Sequence, residues 1–214
     1  MMDIIEEVPL IHDGMSWIHW NNSTGILINV EVFLLFQPKC PKVGWFSLFL
    51  GLFRIPRNLF ILWLAILERL STLDKPWCMI DNQECMLCDT HVMETHNHLF
   101  FACPYAQQCL TIIRRQVRFQ WPYDDWQMGI QWASRRWRGR YVVNATYRAT
   151  IASLVYHLWR ERNLRRFQNI RVEAEIVATL VMEQIRHRIL SDESGFNLKT
   201  RFYIDYGIFH RVCS

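Results

Sequence analysis

The sequence predicts a mainly α-helical chain with a short N-terminal β-hairpin. Three observations carry that prediction. Apolar residues recur at a period near 3.6 over residues 141–167 and again over 172–190. Pro56 and Pro104 each precede an apolar stretch, and proline suits the first helical turn because its missing N–H would find no partner there. A paired set of cysteines between residues 77 and 103 marks a loop that needs a cross-link of its own.

The elements follow in order. Trp17, Ile18 and Trp20 lead into the turn residues 21–25, and the β-branched stretch 26–36 pairs back as a hairpin. Pro38 and Pro41 then break the chain. Residues 43–70 are the most apolar region, but Arg54, Pro56 and Arg57 divide it into runs of about ten residues, short of the ~20 that a membrane span needs. A nearly all-round apolar helix is expected over 59–70, ending at Ser71-Thr72. After the loop 77–103, Pro104 opens a helix with Leu110, Ile113 and Val117 on one face. Trp121-Pro122 interrupts it, and Trp126, Ile130 and Trp137 suggest a further short helix. The longest helix spans about 141–167 with Tyr147, Ile151, Leu154 and Leu158 inward, and the last spans 172–190 with Ile176, Leu180, Ile185 and Ile189. The expected segments are 1–41 (extended or hairpin), 42–118 (loop-bearing domain), 119–190 (basic helical extension) and 191–214 (irregular tail).

Composition narrows the class. The 214 residues are 51% apolar, 21% charged and 14% aromatic, which suits a packed globular core rather than a disordered chain. The acidic opening, residues 1–10, lacks a secretory layout. Seven cysteines exclude a fully paired disulfide framework. The expected setting is intracellular, nucleus or cytoplasm, with reduced thiols, no secretion and no membrane. Net charge is only +4, yet it is unevenly spread. Residues 1–113 sum to −5, residues 114–171 to +10 through 13 arginines, and residues 172–214 to −1.

The loop holds Cys85-Met86-Leu87-Cys88, then His98 after nine residues and Cys103 after four more. Two cysteines three apart turn both sulfurs to one point, and the second pair closes a tetrahedron of the kind Zn²⁺ prefers. His91 and His96 are rival nitrogen ligands, and Cys78 and Cys109 are spare thiols. His98 is favoured because its spacing to Cys103 makes a chelate arm. Four protein ligands leave no open position, so the Zn²⁺ would be structural, and the fold class becomes a small helical domain stabilised by one Cys-Cys-His-Cys zinc loop.

These residues resemble a known family. Ile55-Pro56-Arg57, the run 60–67, Arg69-Leu70-Ser71-Thr72 and Asp74 precede the cysteine pair. Glu94-Thr95 and then His98-Leu99-Phe100-Phe101-Ala102-Cys103-Pro104 follow it. The arrangement is similar to the zinc-binding reverse transcriptase domain, zf-RVT, of plant LINE-type non-LTR retrotransposons. Trp20 and Gly25 upstream, and Tyr156-His157-Leu158-Trp159-Arg160-Glu161-Arg162-Asn163 downstream, extend the likeness. The chain departs from the family at Trp77-Cys78-Met79 and in the arginine-free stretch 33–41. The resemblance implies a C-terminal fragment without the polymerase, contacting nucleic acid beside a reverse transcriptase domain that would act in trans.

No catalytic constellation is visible. Tyr123-Asp124-Asp125 lacks the spacing of a polymerase aspartate motif, and no Gly-rich phosphate loop or metalloprotease motif occurs. The expectation is no enzyme. Arg135, Arg136, Arg138 and Arg140, interleaved with Trp132, Trp137 and Tyr141, form the first candidate nucleic-acid surface, because arginine forks meet phosphate and aromatic rings stack on bases. Arg160, Arg162, Arg165 and Arg166, at the end of the long helix, form the second. A solvated face is the alternative for both, and a protein-interaction domain or an inert fragment of a decayed element is the alternative for the whole chain. Phe100 and Phe101 are expected to pack behind the zinc loop rather than stack on bases.

Overall fold

Proline opens two of the helices where expected. The computed structural model describes residues 43–191 apart from 51, 77, 79–81, 119, 123–124 and 140. A 3-10 helix, Gly44–Phe49, leads into α1 (Pro56–Ile66). A single π-turn, His98–Ala102, runs straight into α2 (Pro104–Val117). Then come α3 (Trp126–Arg136), α4 (Val142–Gln168) and α5 (Ala174–Leu190). The hairpin expected before residue 42, Arg140 and the tail after 191 lie outside the described residues. Among the described residues the chain is helical, with one isolated antiparallel bridge between Glu84 and Met93. No described helix is long and apolar enough to cross a membrane.

Helix α1 ends earlier than its apolar run suggests. Glu68 adopts φ 52°, and the N–H groups of Arg69 and Glu68 donate to the carbonyls of Leu64 and Ala65 at 2.8 and 2.9 Å. That is a Schellman stop, which satisfies the last carbonyls and sends the chain away from the helix axis. Leu70 and Leu73 are buried beyond it, so the apolar run continues into the core without continuing the helix.

Helix α4 is the centre of the molecule. It packs against α1 on one side and α5 on another, while α2 packs against both α4 and α5. Packing therefore crosses the boundary expected between residues 118 and 119. Ile151, Leu154, Val155 and Leu158 of α4 are buried as the 3.6-residue period predicts, whereas Tyr147 is only half-buried. On α5 the inner face is Val177, Val181, Ile185 and Ile189; Ile176 is 53% exposed. Alanines at 174 and 178 widen the inward stripe to the other side of Val177, which turns Ile176 outward. A polar junction sets the register of three helices: Asn58 of α1 and Ser153 of α4 both donate to Oε1 of Gln184 on α5, at 2.6 and 2.5 Å.

Aromatic rings carry the core from the π-turn to α3 and α4. Phe101 stacks on Trp121 at 5.0 Å with planes 8° apart, and Trp121 meets Trp137 at 5.7 Å. Trp137 in turn reaches Tyr147 of α4 at 5.5 Å. Phe100 and Phe101 are both at most 3% exposed, so they pack behind the loop as expected. Gly129 of α3 lies directly under the Trp121 indole, where any Cβ would come within 2.3 Å of the ring.

Candidate metal centre

Residues 82–94 fold back on themselves before the cysteines can meet. Asn82 Oδ1 accepts from the Glu84 N–H at 2.8 Å, and Cys85 N and Glu94 N donate across to Val92 O and Gln83 O, each at 2.8 Å. His91 takes φ 53° at the tip. The Leu87 N–H points at the Cys85 sulfur, 3.4 Å away, so Cys85 and Cys88 turn toward one point.

The second pair depends on the π-turn. Five residues in an α-helix would leave His98 and Cys103 about 140° apart around the axis. The Cys103 N–H instead donates to His98 O at 2.7 Å, a wider turn that brings both side chains to one face. Cys103 also caps α2, whose positive end faces the sulfurs and favours an anionic thiolate cluster there.

The four donor atoms of Cys85, Cys88, His98 and Cys103 all lie within 4.8 Å of one another. Cys85 and Cys103 sulfurs are 3.9 Å apart, and Cys88 Sγ is 3.3 Å from His98 Nε2. A tetrahedron with Zn–S bonds of about 2.3 Å sets sulfurs roughly 3.8 Å apart, so the donor set fits such an ion. The shared hydrogen bond with Cys103, and then burial, push the Cys85 thiol far above its ordinary range. A metal ion would replace the proton that the two sulfurs now share. Burial pushes His98 below its ordinary pKa, against the charge of Glu94, which favours the neutral imidazole that a metal ligand requires.

The rival ligands have other places. His91 is exposed and 3.1 Å from Glu84. His96 is buried edge-on against Phe100 and Trp126, and burial lowers its pKa to about 4. The Cys109 thiol donates to Ala174 O at 3.5 Å, at the start of α5.

Charged side chains of α4 hold this loop, and the sequence reading missed them. Glu94 is fully buried and faces Arg162, whose Nη2 is 2.6 Å from Oε1 and whose Nε donates to both carboxylate oxygens at 2.9 and 3.1 Å. The same carboxylate accepts from Leu73 N at 3.2 Å, and Arg162 Nη2 also donates to Ser71 O at 3.2 Å. One turn on, Arg165 pairs with Glu161 at 2.7 Å and donates to Leu87 O at 3.0 Å, inside the cysteine knuckle. Its guanidinium lies 4.4 Å from the centre of the Tyr105 ring. The one signal for these roles was that Glu161 is the sole acid among the arginines at 160–166, four residues before Arg165.

Three residues expected on a nucleic-acid surface, Arg162, Arg165 and Trp137, are therefore turned inward, Arg165 through its pair with Glu161. Arg162 is 1% exposed because its charge is spent on Glu94, and Trp137 is 2% exposed because it belongs to the aromatic core. Arg135, Arg136, Arg138 and Arg160 are exposed. Residues 30–109 match the family model described as zinc-binding in reverse transcriptase, zf-RVT. No curated protein and no solved structure matches the chain.

The purified protein should carry about one equivalent of zinc by elemental analysis, and a Cys85→Ser/Cys88→Ser variant should carry almost none. Arg162→Met should cost about 3–5 kcal/mol in urea unfolding of the zinc-loaded chain, since it leaves Glu94 buried without its partner. A loss below about 1 kcal/mol would mean that the pair lies open to water.

Proposed function

Built around a zinc-binding reverse transcriptase segment, the chain is, we propose, a nucleic-acid-binding module with no catalytic activity of its own. Its metal is structural Zn²⁺ held by Cys85, Cys88, His98 and Cys103. The zinc loop and the Glu94–Arg162 pair support a platform, and the working surface lies on the far side of the aromatic core.

One observation carries this reading. Arg118 at the end of α2 and Arg136 at the end of α3 line the same recess, about 320 Å³, together with Gln120, Trp132, Asn144 and Tyr147. Among the described residues no carboxylate lines it. Arg114 and Arg115 are exposed on the last turn of α2, and Arg135 and Arg138 flank Arg136. Among the described residues Arg135 and Arg136 make no ion pair. Exposed arginine forks beside indole and phenol rings suit a phosphate backbone with its bases unstacked. The match of residues 30–109 to a zinc-binding reverse transcriptase model supports the same reading, with a reverse transcriptase domain as a partner in trans and the nucleus or cytoplasm as the proposed setting.

A second reading, a protein-interaction module or an inert remnant, has its own support. Phe60 and Trp63 stand 56% and 36% exposed on the outer face of α1, with rings 6.0 Å apart. Fluorescence anisotropy with labelled single-stranded RNA separates the two. Binding should fall steeply with salt, and changing Arg135, Arg136, Arg138 and Arg140 to alanine should weaken it at least ~10-fold and flatten the salt slope. Unchanged binding in that variant, with its zinc retained, would sink the nucleic-acid reading.

A further inference from the structure

Trp132 and Arg136 sit one turn apart on α3, so their side chains rise from the same face of the helix. Trp132 is half-buried, and two edge-to-face contacts hold its indole. The ring centre lies 5.6 Å from that of Trp137 at 78°, and 6.4 Å from that of Trp121 at 75°. Such pairs fix the orientation of a ring. Arg136 is exposed, and no described acid pairs with it.

Two recesses share this pair. One is the recess between Arg118 and Arg136, which has Trp132 in its wall. The other, about 280 Å³, is lined by Met128, Gln131, Trp132, Arg135 and Arg136. Both are open to solvent, and among the described residues no carboxylate lines either. Trp132 and Arg136 line both, so they form the ridge between them. Each recess also holds side-chain amides: Gln120 and Asn144 in the first, Gln131 in the second. An amide carries a donor and an acceptor, which together suit the Watson–Crick edge of a base. In a duplex that edge is occupied, and paired, stacked bases cannot part around a ridge.

We infer that this ridge takes two successive unpaired nucleotides, one base in each recess, with the linking phosphate crossing at Arg136. The site rests on the nucleic-acid reading of the chain and gives that reading a register. Trp132 is the stacking wall, and Arg136 meets the phosphate with a planar fork. An acidic peptide would satisfy the arginines but leave the indole and the amides unused. The substrate class is therefore single-stranded nucleic acid, not duplex.

Fluorescence anisotropy on the zinc-loaded chain tests it, with one RNA offered alone and annealed to its complement. The single strand should bind at least ~10-fold tighter than the duplex. Trp132→Leu should weaken the single strand at least ~5-fold and remove its advantage, yet leave the salt slope unchanged, because stacking releases no counterions. Arg136→Ala should instead lower the slope by about one. Should Trp132→Leu not fold, the wild-type chain irradiated with single-stranded RNA carrying 4-thiouridine should crosslink at Trp132 or another residue of the two recesses. Salt-dependent binding that is equal for the two RNA forms, or that Trp132→Leu leaves intact, would overturn the ridge while the nucleic-acid reading stands. Crosslinks confined to other parts of the chain would do the same. Displacement by polyglutamate as effective as by RNA of equal charge would overturn both.

Discussion

Arg162 reaches from α4 into the cysteine-bearing loop and closes on Glu94, with both members excluded from water. Much else in the structure depends on that pair. Glu94 ends the fold-back that holds Cys85, and the π-turn bearing His98 starts four residues later. Arg162 also holds the carbonyl of Ser71, in the chain that leaves α1. A single ion pair thus joins the metal loop, the exit of α1 and the central helix. A pair so placed adds less to net stability than to uniqueness, because half of it alone is a buried, uncompensated charge. Its neighbour, Arg165 with Glu161, does the same for Leu87 and for the start of α5 through Val172, whose N–H donates to Glu161 at 2.8 Å and whose carbonyl accepts from Arg165 at 3.0 Å.

The arginine-rich block consequently divides into two kinds of residue. Arg148, Arg162 and Arg165 face inward and spend their donors on backbone carbonyls and carboxylates. Arg114, Arg115, Arg118, Arg135 and Arg136 face solvent, on the ends of α2 and α3. Placement at helix C-termini suits them to the dipoles there, which accounts for part of the pattern without any ligand. The aromatic recess between Arg118 and Arg136 is what the dipole does not account for.

Helix positions were legible because proline and the 3.6-residue period act locally. Pro56 and Pro104 open α1 and α2, and the ends of α4 and α5 fall within two residues of expectation. The cluster of four candidate ligands was legible because chelation imposes spacing, although only the π-turn explains why His98 and Cys103 face together. What could not be read were contacts between distant segments. Arg162 looked like its neighbour Arg160 until Glu94, 68 residues away, was seen to face it. Trp137 looked like a stacking platform because burial by Trp121 and Tyr147 leaves no trace in local sequence. The end of α1 was missed for a different reason, since Glu68 is not a residue that advertises a left-handed stop.

The central claim is that the cysteine-bearing loop and the C-terminal part of α4 form one cooperative unit, coupled through Glu94 and Arg162. Amide hydrogen exchange, read by mass spectrometry on the zinc-loaded and the chelated chain, tests this directly. The account predicts that chelation strips protection from residues 83–103 and from the stretch 158–172 together. Loss confined to the loop, with α4 as protected as before, would contradict it.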